Sequence, residues 1–277
     1  TKKERKYLQK KKSISMCIDP DWMPFEKNIN GKHIGISADY IKLFEKDIKT
    51  PIKMIETKNW TESLEFGKQR KCDIFSLVMP TKERKQYYDF TKPYLKIPLV
   101  IASNLEAPFI DNLNQIENKK LGIVKGYAYG EILREEYPNI NFVDVNNIND
   151  GLEKVRNHEI FGFIGTLVTV GYHIQKNYIG ELKISGKFDK TWNLGIGTRN
   201  DEPELKTIFD KAISSIKKDQ ERVIQNKWIS VNYEKGFDYE TLNEILLYLI
   251  GIFLISSLIY RQYLLKRLNK KLYKEIK

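Results

Sequence analysis

Short apolar runs alternate with longer segments of helical spacing from residue 13 to residue 228. The short runs are rich in Val, Ile and Phe, which is typical of strands buried in a parallel sheet. The longer segments place apolar residues three or four positions apart, as amphipathic helices do. This alternation predicts the α/β fold class. The predicted strands are residues 13–18, 52–55, 73–79, 97–102, 121–126, 141–145, 160–164, 182–185 and 192–198, and the predicted helices are residues 39–46, 60–70, 130–137, 148–157, 168–176, 203–215 and 220–228.

Two of the strands, residues 97–102 and 192–198, stand between one group of strands and helices and the next. We expect them to cross between two lobes, because each group is large enough to bury its own core. Two crossings would form a hinge. The expected division is residues 1–12 as a basic lead-in helix, 13–102 as lobe 1, 103–192 as lobe 2, 193–232 as the return to lobe 1, 233–241 as a linker, 242–260 as a membrane span and 261–277 as a juxtamembrane helix.

The span is predicted from its length and its flanks. Residues 245–260 carry no charged side chain, and 242–260 matches the roughly 20 apolar residues that cross a bilayer core. A buried core helix is the alternative. Basic residues crowd the stretch 261–277 and acidic residues precede the span, so the positive-inside rule predicts a single-pass inner-membrane protein, with residues 1–241 extracytoplasmic and residues 261–277 cytoplasmic.

The tail after the span has leucines at heptad-like spacing, at Leu265, Leu268 and Leu272. That spacing favours a homodimer through a two-stranded coil. A basic helix resting on anionic lipid is the alternative.

The net charge of +11 is confined to the two ends. Residues 1–12 hold seven Lys and Arg against one acid, and residues 261–277 hold seven against one. The rest of the chain is nearly neutral, which argues against a nucleic-acid-binding face.

The stretch from Cys72 to Tyr94 carries the most informative chemistry. Its apolar run is followed by a Pro80-Thr81 break and then by Arg84. A cation just beyond the carboxyl end of a buried strand lies where open α/β sheets bind their ligands. The planar guanidinium suits a carboxylate, although a solvated surface arginine is the alternative.

Residues 76–84 with 89–94, residues 19–25 and residues 35–39 together resemble the bacterial extracellular solute-binding proteins. That family includes polar amino-acid receptors of ABC transporters and the Venus-flytrap domains of membrane sensor kinases. The resemblance covers about residues 13–232. It implies a two-lobed periplasmic-binding-protein fold, here followed by one transmembrane helix.

The resemblance also implies the ligand site. Arg84 would hold a carboxylate of the ligand, and Trp22 would stack on its side chain, unless Trp22 caps the core. The Gly126 to Gly130 turn would offer N–H groups to an anion, or would be an ordinary loop. The candidate ligand-binding residues are Asp19, Trp22, Leu77, Met79, Thr81, Arg84, Tyr127, Ala128, Gly165 and Thr166.

One position departs from the family pattern. Amino-acid receptors commonly place an Asp after the strand predicted at 160–164, where it pairs with the ligand's ammonium, and the matching position here is Gly165. Burying an ammonium without a partner is costly. We therefore predict a carboxylate ligand that lacks an α-ammonium.

Cysteine and histidine offer little chemistry. The register expected for the parallel strands favours two free thiols at Cys17 and Cys72, with a disulfide as the alternative. His33, His158 and His173 are scattered, and we expect them at the surface. The sequence indicates no metal site, no cofactor and no catalytic constellation.

The sequence therefore predicts an extracytoplasmic sensor domain that binds a small carboxylate-bearing solute and signals through one membrane helix. The family implies a histidine kinase or a diguanylate cyclase as the output. A membrane-tethered receptor of an ABC transporter is the alternative. No motif in the sequence supports an enzymatic activity. A ligand-gated channel is also disfavoured, because its membrane segments would interrupt the lobes rather than follow them.

Overall fold

The computed structural model describes residues 1–229 and 239–275. The chain forms two compact units, Thr1–Ile229 and Ser230–Lys277. The first unit is mixed α/β, as the alternation of apolar runs predicts. Its strands form a nine-stranded sheet and a small three-stranded sheet.

Lobe 1 is built around β1, which lies between two parallel neighbours. Strand β1 pairs with β5 on one side and with β6 on the other. All five residues of β6 are buried, which explains the unbroken apolar run in the sequence. The elements of this lobe are β1 (Ile14–Cys17), β2 (Asp21–Trp22), β3 (Glu26–Ile29), β4 (Lys32–Ile34), α2 (Ile36–Ile48), β5 (Ile52–Met54), α3 (Trp60–Lys68), β6 (Ile74–Val78) and β7 (Tyr88–Phe90).

Two long strands connect the lobes. Strand β8 (Leu95–Asn104) and strand β12 (Leu182–Arg199) pair antiparallel, with Ile97 opposite Trp192. The C-terminal part of β12 also pairs with β6 and β7 of lobe 1. Strand β8 pairs with β11 (Gly162–Thr166) of lobe 2. Residues 182–198, predicted as two strands, thus belong to one continuous strand with register shifts in it.

Lobe 2 contains a second parallel arrangement, in which β9 lies between β10 and β11. Its elements are β9 (Lys120–Val124), α4 (Ala128–Glu136), β10 (Asn141–Val145), α5 (Ile148–Arg156), β11 and α6 (Leu167–Asn177). The chain then returns through β12 to α7 (Pro203–Ser214) and α8 (Lys218–Trp228), both of which pack on α2 of lobe 1.

The N-terminal helix α1 (Lys2–Lys11) is fixed to the lobe by charge pairs. Lys11 Nζ lies 2.6 Å from Asp73 Oδ1 and 2.5 Å from Glu202 Oε2. Lys211 Nζ lies 2.6 Å from Glu4 Oε1. The basic residues of the helix are therefore partly matched by acids on lobe 1.

The two cysteines form a disulfide, which contradicts the expectation of free thiols. Their Cα atoms are 5.6 Å apart, within the range that a disulfide requires. Cys17 ends β1, whereas Cys72 precedes the first residue of the neighbouring strand β6. Because Cys72 lies outside the paired part of β6, the strand register does not determine its distance from Cys17.

Two histidines also depart from expectation. The His33 side chain is only 10% exposed, and its Nε2 lies 2.9 Å from the Ser37 hydroxyl oxygen. His173 lies on α6 with a side chain that is 8% exposed, and burial lowers its pKa to about 4. It is therefore a neutral core residue rather than a surface residue.

The second unit contains one long helix, α9 (Tyr239–Glu275). Within it, Leu246–Arg267 is long and apolar enough to cross a membrane. The large apolar side chains described in this window are exposed within the unit, whereas those of a core helix would be covered.

Candidate ligand-binding cleft

Arg84 lies at the boundary between the two lobes. The chain leaves β6, and the hydroxyl of Thr81 accepts a hydrogen bond from the Arg84 backbone N–H at 3.2 Å. This bond sets Arg84 at the start of a short 3-10 helix. The Arg84 guanidinium donates to the Met79 carbonyl at 2.9 Å and to the Gly126 carbonyl, in lobe 2, at 2.8 Å.

Carbonyl oxygens are the hydrogen-bond acceptors that the guanidinium uses. No carboxylate of the described residues lies within 4.0 Å of it. Burial lowers the pKa of Arg84 to about 10, so the side chain remains a cation at neutral pH. The Trp60 ring lies 5.3 Å from the guanidinium carbon, within the range of a cation–π contact. Arg84 is thus a cation in the cleft without a counter-ion within contact distance among these residues.

The turn after β9 meets Arg84 through a carbonyl rather than through N–H groups. Gly126 has φ of +80°, a left-handed conformation that glycine adopts readily. Its carbonyl accepts from Arg84 and also from the Trp60 indole N–H, at 3.1 Å. The Gly126 carbonyl thus points toward lobe 1, and the Tyr127 N–H is bonded to the Val124 carbonyl at 3.1 Å. That the first N–H groups of α4 receive an anion stays a prediction.

A second link joins the lobes at Asp19. The Tyr127 hydroxyl, on lobe 2, donates to Asp19 Oδ2 at 2.7 Å. The Asp21 N–H donates to Asp19 Oδ1 at 3.1 Å. Asp19 is only 5% exposed, and burial raises its pKa to about 7. Burial, assisted by Asp19, also raises the pKa of Tyr127 well above its usual value, so Tyr127 stays protonated and acts as the donor.

Glu26, which the sequence reasoning missed, holds the loops behind Asp19. Its carboxylate is fully buried and accepts from the Asp19 N–H at 2.8 Å and from the Ser37 hydroxyl at 2.8 Å. The Ser76 hydroxyl on β6 also donates to it. His33 Nε2 lies 3.5 Å from the same carboxylate. Glu26 therefore connects the β1 loop, α2 and β6.

Aromatic side chains of both lobes pack together beside Arg84. Trp22 packs on Phe25 and on Tyr127, with ring centroids 4.8 and 5.6 Å apart. Tyr127 packs on Tyr129 at 5.4 Å, and Tyr129 on Trp192 at 6.3 Å. The cavity enclosed among these rings is about 30 Å³, room for little more than a water molecule. A solute must therefore separate the lobes or displace these rings to enter.

Most of the predicted site residues come together in this cavity. Its lining includes Asp19, Trp22, Leu77, Met79, Arg84, Tyr127, Ala128 and Thr166. The lining residues that the prediction did not include are Trp60, Val78, Ile97, Leu99, Tyr129, Trp192 and Leu194. Several of them belong to the crossing strands. Their apolar sequence predicts a buried strand and gives no sign that the side chains line a cavity.

Thr81 and Gly165 do not line the cavity. Thr81 lines an adjoining cavity of about 350 Å³, which also borders Arg84 and Tyr127. A Cβ placed on Gly165 would lie 2.9 Å from both Phe163 Cε1 and Val170 Cγ2, so this position faces the core of lobe 2. The residue at the end of β11 that reaches the cleft is Thr166, whose hydroxyl also caps α6 by accepting from the Thr169 N–H.

Comparison with known proteins identifies the family of the chain. Residues 14–231 match the profile of the bacterial extracellular solute-binding proteins, family 3. The chain belongs to this family. The predicted resemblance is thereby confirmed, and so is the two-lobed Venus-flytrap fold.

The relatives include two sensor proteins and a solute-binding protein. The virulence sensor protein BvgS of Bordetella pertussis is 22% identical over 227 residues, which are 82% of this chain and 18% of the sensor. The sensor protein EvgS of Escherichia coli K12 is 22% identical, covering 98% of this chain and 23% of the sensor. The L-cystine-binding protein TcyJ of Escherichia coli K12 is 22% identical, covering 82% of this chain and 86% of the receptor. This chain thus spans about a fifth of the length of the sensors that it matches.

Solved structures share the fold. The periplasmic VFT2 domain of BvgS superposes with a TM-score of 0.75 at 19% identity, covering 82% of this chain and 98% of that domain. A histidine kinase sensor domain with similarity to periplasmic binding proteins gives a TM-score of 0.72 at 20% identity, covering 79% of this chain and 96% of the domain.

The raised pKa of Asp19 predicts a pH dependence of stability. The ordinary pKa of this carboxyl is 3.8, and the folded value is about 7, so the folded chain binds more protons than the unfolded chain between these limits. Stability contributed by Asp19 should therefore fall as the pH rises from about 4 to about 7. The Asp19→Asn variant keeps an acceptor for Tyr127 and should lose this dependence.

Thermal melts at pH 4.5, 6 and 8 measure the effect. The melting temperature of the unmodified protein minus that of Asp19→Asn should decrease steadily with pH. Asp144→Asn, an exposed carboxylate paired with Arg134, is the control for removing an acid. A constant difference for Asp19→Asn, or one that grows with pH, would contradict a raised pKa.

Proposed function

We propose that this chain is the extracytoplasmic ligand-binding part of a membrane sensor. A small carboxylate-bearing solute would bind between the lobes, and their closure would pass through one transmembrane helix to a cytoplasmic output, a histidine kinase or a diguanylate cyclase. The observation that carries the proposal is the Arg84 guanidinium, which lies in the cleft of a solute-binding fold with carbonyl partners from both lobes.

A carboxylate is the ligand group that suits Arg84 best. The guanidinium presents a planar fork of N–H donors, which matches two carboxylate oxygens, and a charge-assisted bond is about twice as strong as a bond to a neutral carbonyl. A ligand carboxylate would replace the Gly126 carbonyl as the partner of the fork. Binding would therefore exchange one contact between the lobes for another that passes through the ligand.

We also propose that the ligand lacks an α-ammonium group. The support for this is the set of side chains that line the cavity, rather than the absence of a side chain at Gly165. Asp19 is the one carboxylate in the lining, and Tyr127 already donates to it. Its raised pKa leaves it partly protonated near neutral pH, which weakens it as a partner for an ammonium. A small organic or aromatic acid fits this set of groups better than a free amino acid does.

Membrane placement is supported by three features. The Leu246–Arg267 window is long and apolar enough to span a bilayer, basic residues lie at its C-terminal end and beyond it, and the flytrap contains a disulfide. Disulfides persist in oxidising compartments outside the cytoplasm. A helix after the flytrap favours a sensor over a transport receptor, since a sensor needs a path into the cell. The leucines at 265, 268 and 272 would pair two such helices in a homodimer.

Thiol labelling in intact cells tests the topology. Glu117→Cys on lobe 2 should react with a membrane-impermeant maleimide, whereas Lys271→Cys should react only after the membrane is permeabilised. The native cysteines are bonded to each other and should stay silent. Equal reactivity of both introduced thiols in intact cells would mean that the helix does not cross the membrane.

Arg84→Ala should weaken carboxylate binding by about 2–5 kcal/mol, because the ligand's charge would be buried without its partner. Arg84→Lys should restore little of this loss, since an ammonium cannot reproduce the two parallel bonds of the fork. The measurement is calorimetric titration with each acid that raises the melting temperature in a screen of L-amino acids and C2–C6 organic acids.

Arg222→Ala is the matched control, because Arg222 is exposed and pairs locally with Asp219. It should bind like the unmodified protein. If Arg84→Ala also binds normally, Arg84 is not the carboxylate site. If no acid in the screen shifts the melting temperature, the proposed ligand class is wrong.

A further inference from the structure

Trp192 lies in the crossing strand β12, directly opposite Ile97 of β8. Its side chain is 3% exposed and lines the same cavity as Arg84. It does not belong to the loops of either lobe that carry the other candidate ligand-binding residues. It therefore contacts the cleft from the hinge, a part of the fold that the sequence suggests as structural core.

The indole N–H of Trp192 is a buried donor without an acceptor among the described residues. The tryptophans on α3 and α8 differ in this respect. Trp60 Nε1 donates to the Gly126 carbonyl at 3.1 Å, and Trp228 Nε1 donates to Asp39 Oδ2 at 2.7 Å. Buried polar groups are nearly always hydrogen-bonded, so a donor left unpaired beside a ligand cavity calls for an acceptor from outside the fold.

The ring of Trp192 is held in place by its neighbours. Tyr129 packs against it edge-on, with centroids 6.3 Å apart and planes at 63°. Lys190 Nζ lies 5.0 Å from the ring centroid, and it is itself fixed by Glu136 at 2.5 Å. A donor with a fixed orientation can discriminate between ligands, because a ligand that lacks the acceptor leaves it unsatisfied.

We propose that Trp192 is a ligand-binding residue, and that its N–H donates to a second acceptor on the solute whose carboxylate binds Arg84. This inference rests on the proposed function and narrows its ligand class. The solute is a small acid that carries a keto, hydroxyl or second carboxylate oxygen in addition to the carboxylate at Arg84. An ammonium at that end is excluded, because two donors would face each other.

The first experiment compares two acids that differ by one hydrogen-bond acceptor, 4-oxopentanoate and pentanoate. Both belong to the screen of organic acids and amino acids, which is carried out on the full chain in detergent. For every pair of hits that differ in this way, affinities are measured for the unmodified protein, Trp192→Phe and Trp228→Phe. We expect the unmodified protein to prefer the acid with the second acceptor by about tenfold. Trp192→Phe should remove this preference, and Trp228→Phe should retain it.

The second experiment uses the unmodified protein and so does not depend on whether a Trp192 variant folds. The chain has four tryptophans, and their indole ¹⁵N–¹H signals can be followed during titration of the unmodified protein. The Trp192 signal should move downfield on binding of an acid with a second acceptor, while the Trp228 signal stays in place. The Trp228 indole is already bonded within the fold.

The outcomes separate the two proposals. If acids bind through Arg84 but Trp192→Phe keeps the preference and the Trp192 signal does not move, Trp192 has no role in ligand binding. Its N–H would then serve the cavity of about 310 Å³ that it also borders, beside Glu136 and Lys190. If no acid in the screen binds, the proposed function fails, and this inference fails with it.

Discussion

The contact between Arg84 and the Gly126 carbonyl is the interaction on which the cleft depends. It joins the end of β6 in lobe 1 to the turn that opens α4 in lobe 2. Trp60 donates to the same carbonyl and lies against the guanidinium, so one backbone oxygen receives two donors from the opposite lobe. A partly exposed cation whose hydrogen-bond partners are neutral carbonyls has no counter-charge within contact distance among the described residues, and this is why we propose it as the anchor for a ligand anion.

The other polar groups of the cleft support this arrangement. Tyr127, next to Gly126, bonds to Asp19, and Asp19 is held from behind by Glu26. Glu26 in turn accepts from Ser37 on α2 and from Ser76 on β6, the strand that leads to Arg84. Through Glu26 and Ser76, the Asp19–Tyr127 link is thus tied to the strand that precedes Arg84.

The sequence predicts those parts of the site that depend on local pattern. An apolar run followed by Arg84 indicates a strand end with a cation, and the structure places Arg84 in the cleft. The remaining parts depend on contacts between distant positions. Asp19 and Tyr127 are 108 residues apart, and Trp192 reaches the cavity through its pairing with Ile97 on β8. Successive side chains of a strand point to opposite faces, so of the two neighbouring candidates at the end of β11, Thr166 faces the cavity and Gly165 faces the core of lobe 2. Glu26 is a single acid in a short hairpin, and nothing in its neighbourhood distinguishes it from a surface residue.

The cavity among the aromatic rings, about 30 Å³, must widen before a solute can enter it, so the central claim is that the lobes move apart and close again on a ligand. Lys82 and Glu135 form an ion pair between the lobes, with Nζ 3.0 Å from Oε1. Spin labels attached to the Lys82→Cys and Glu135→Cys variant report the distance between the lobes by pulsed electron spin resonance. The account predicts two distance populations in the free protein, with the longer one lost when a bound acid is added. A single short distance, unchanged by every acid in the screen, would contradict it.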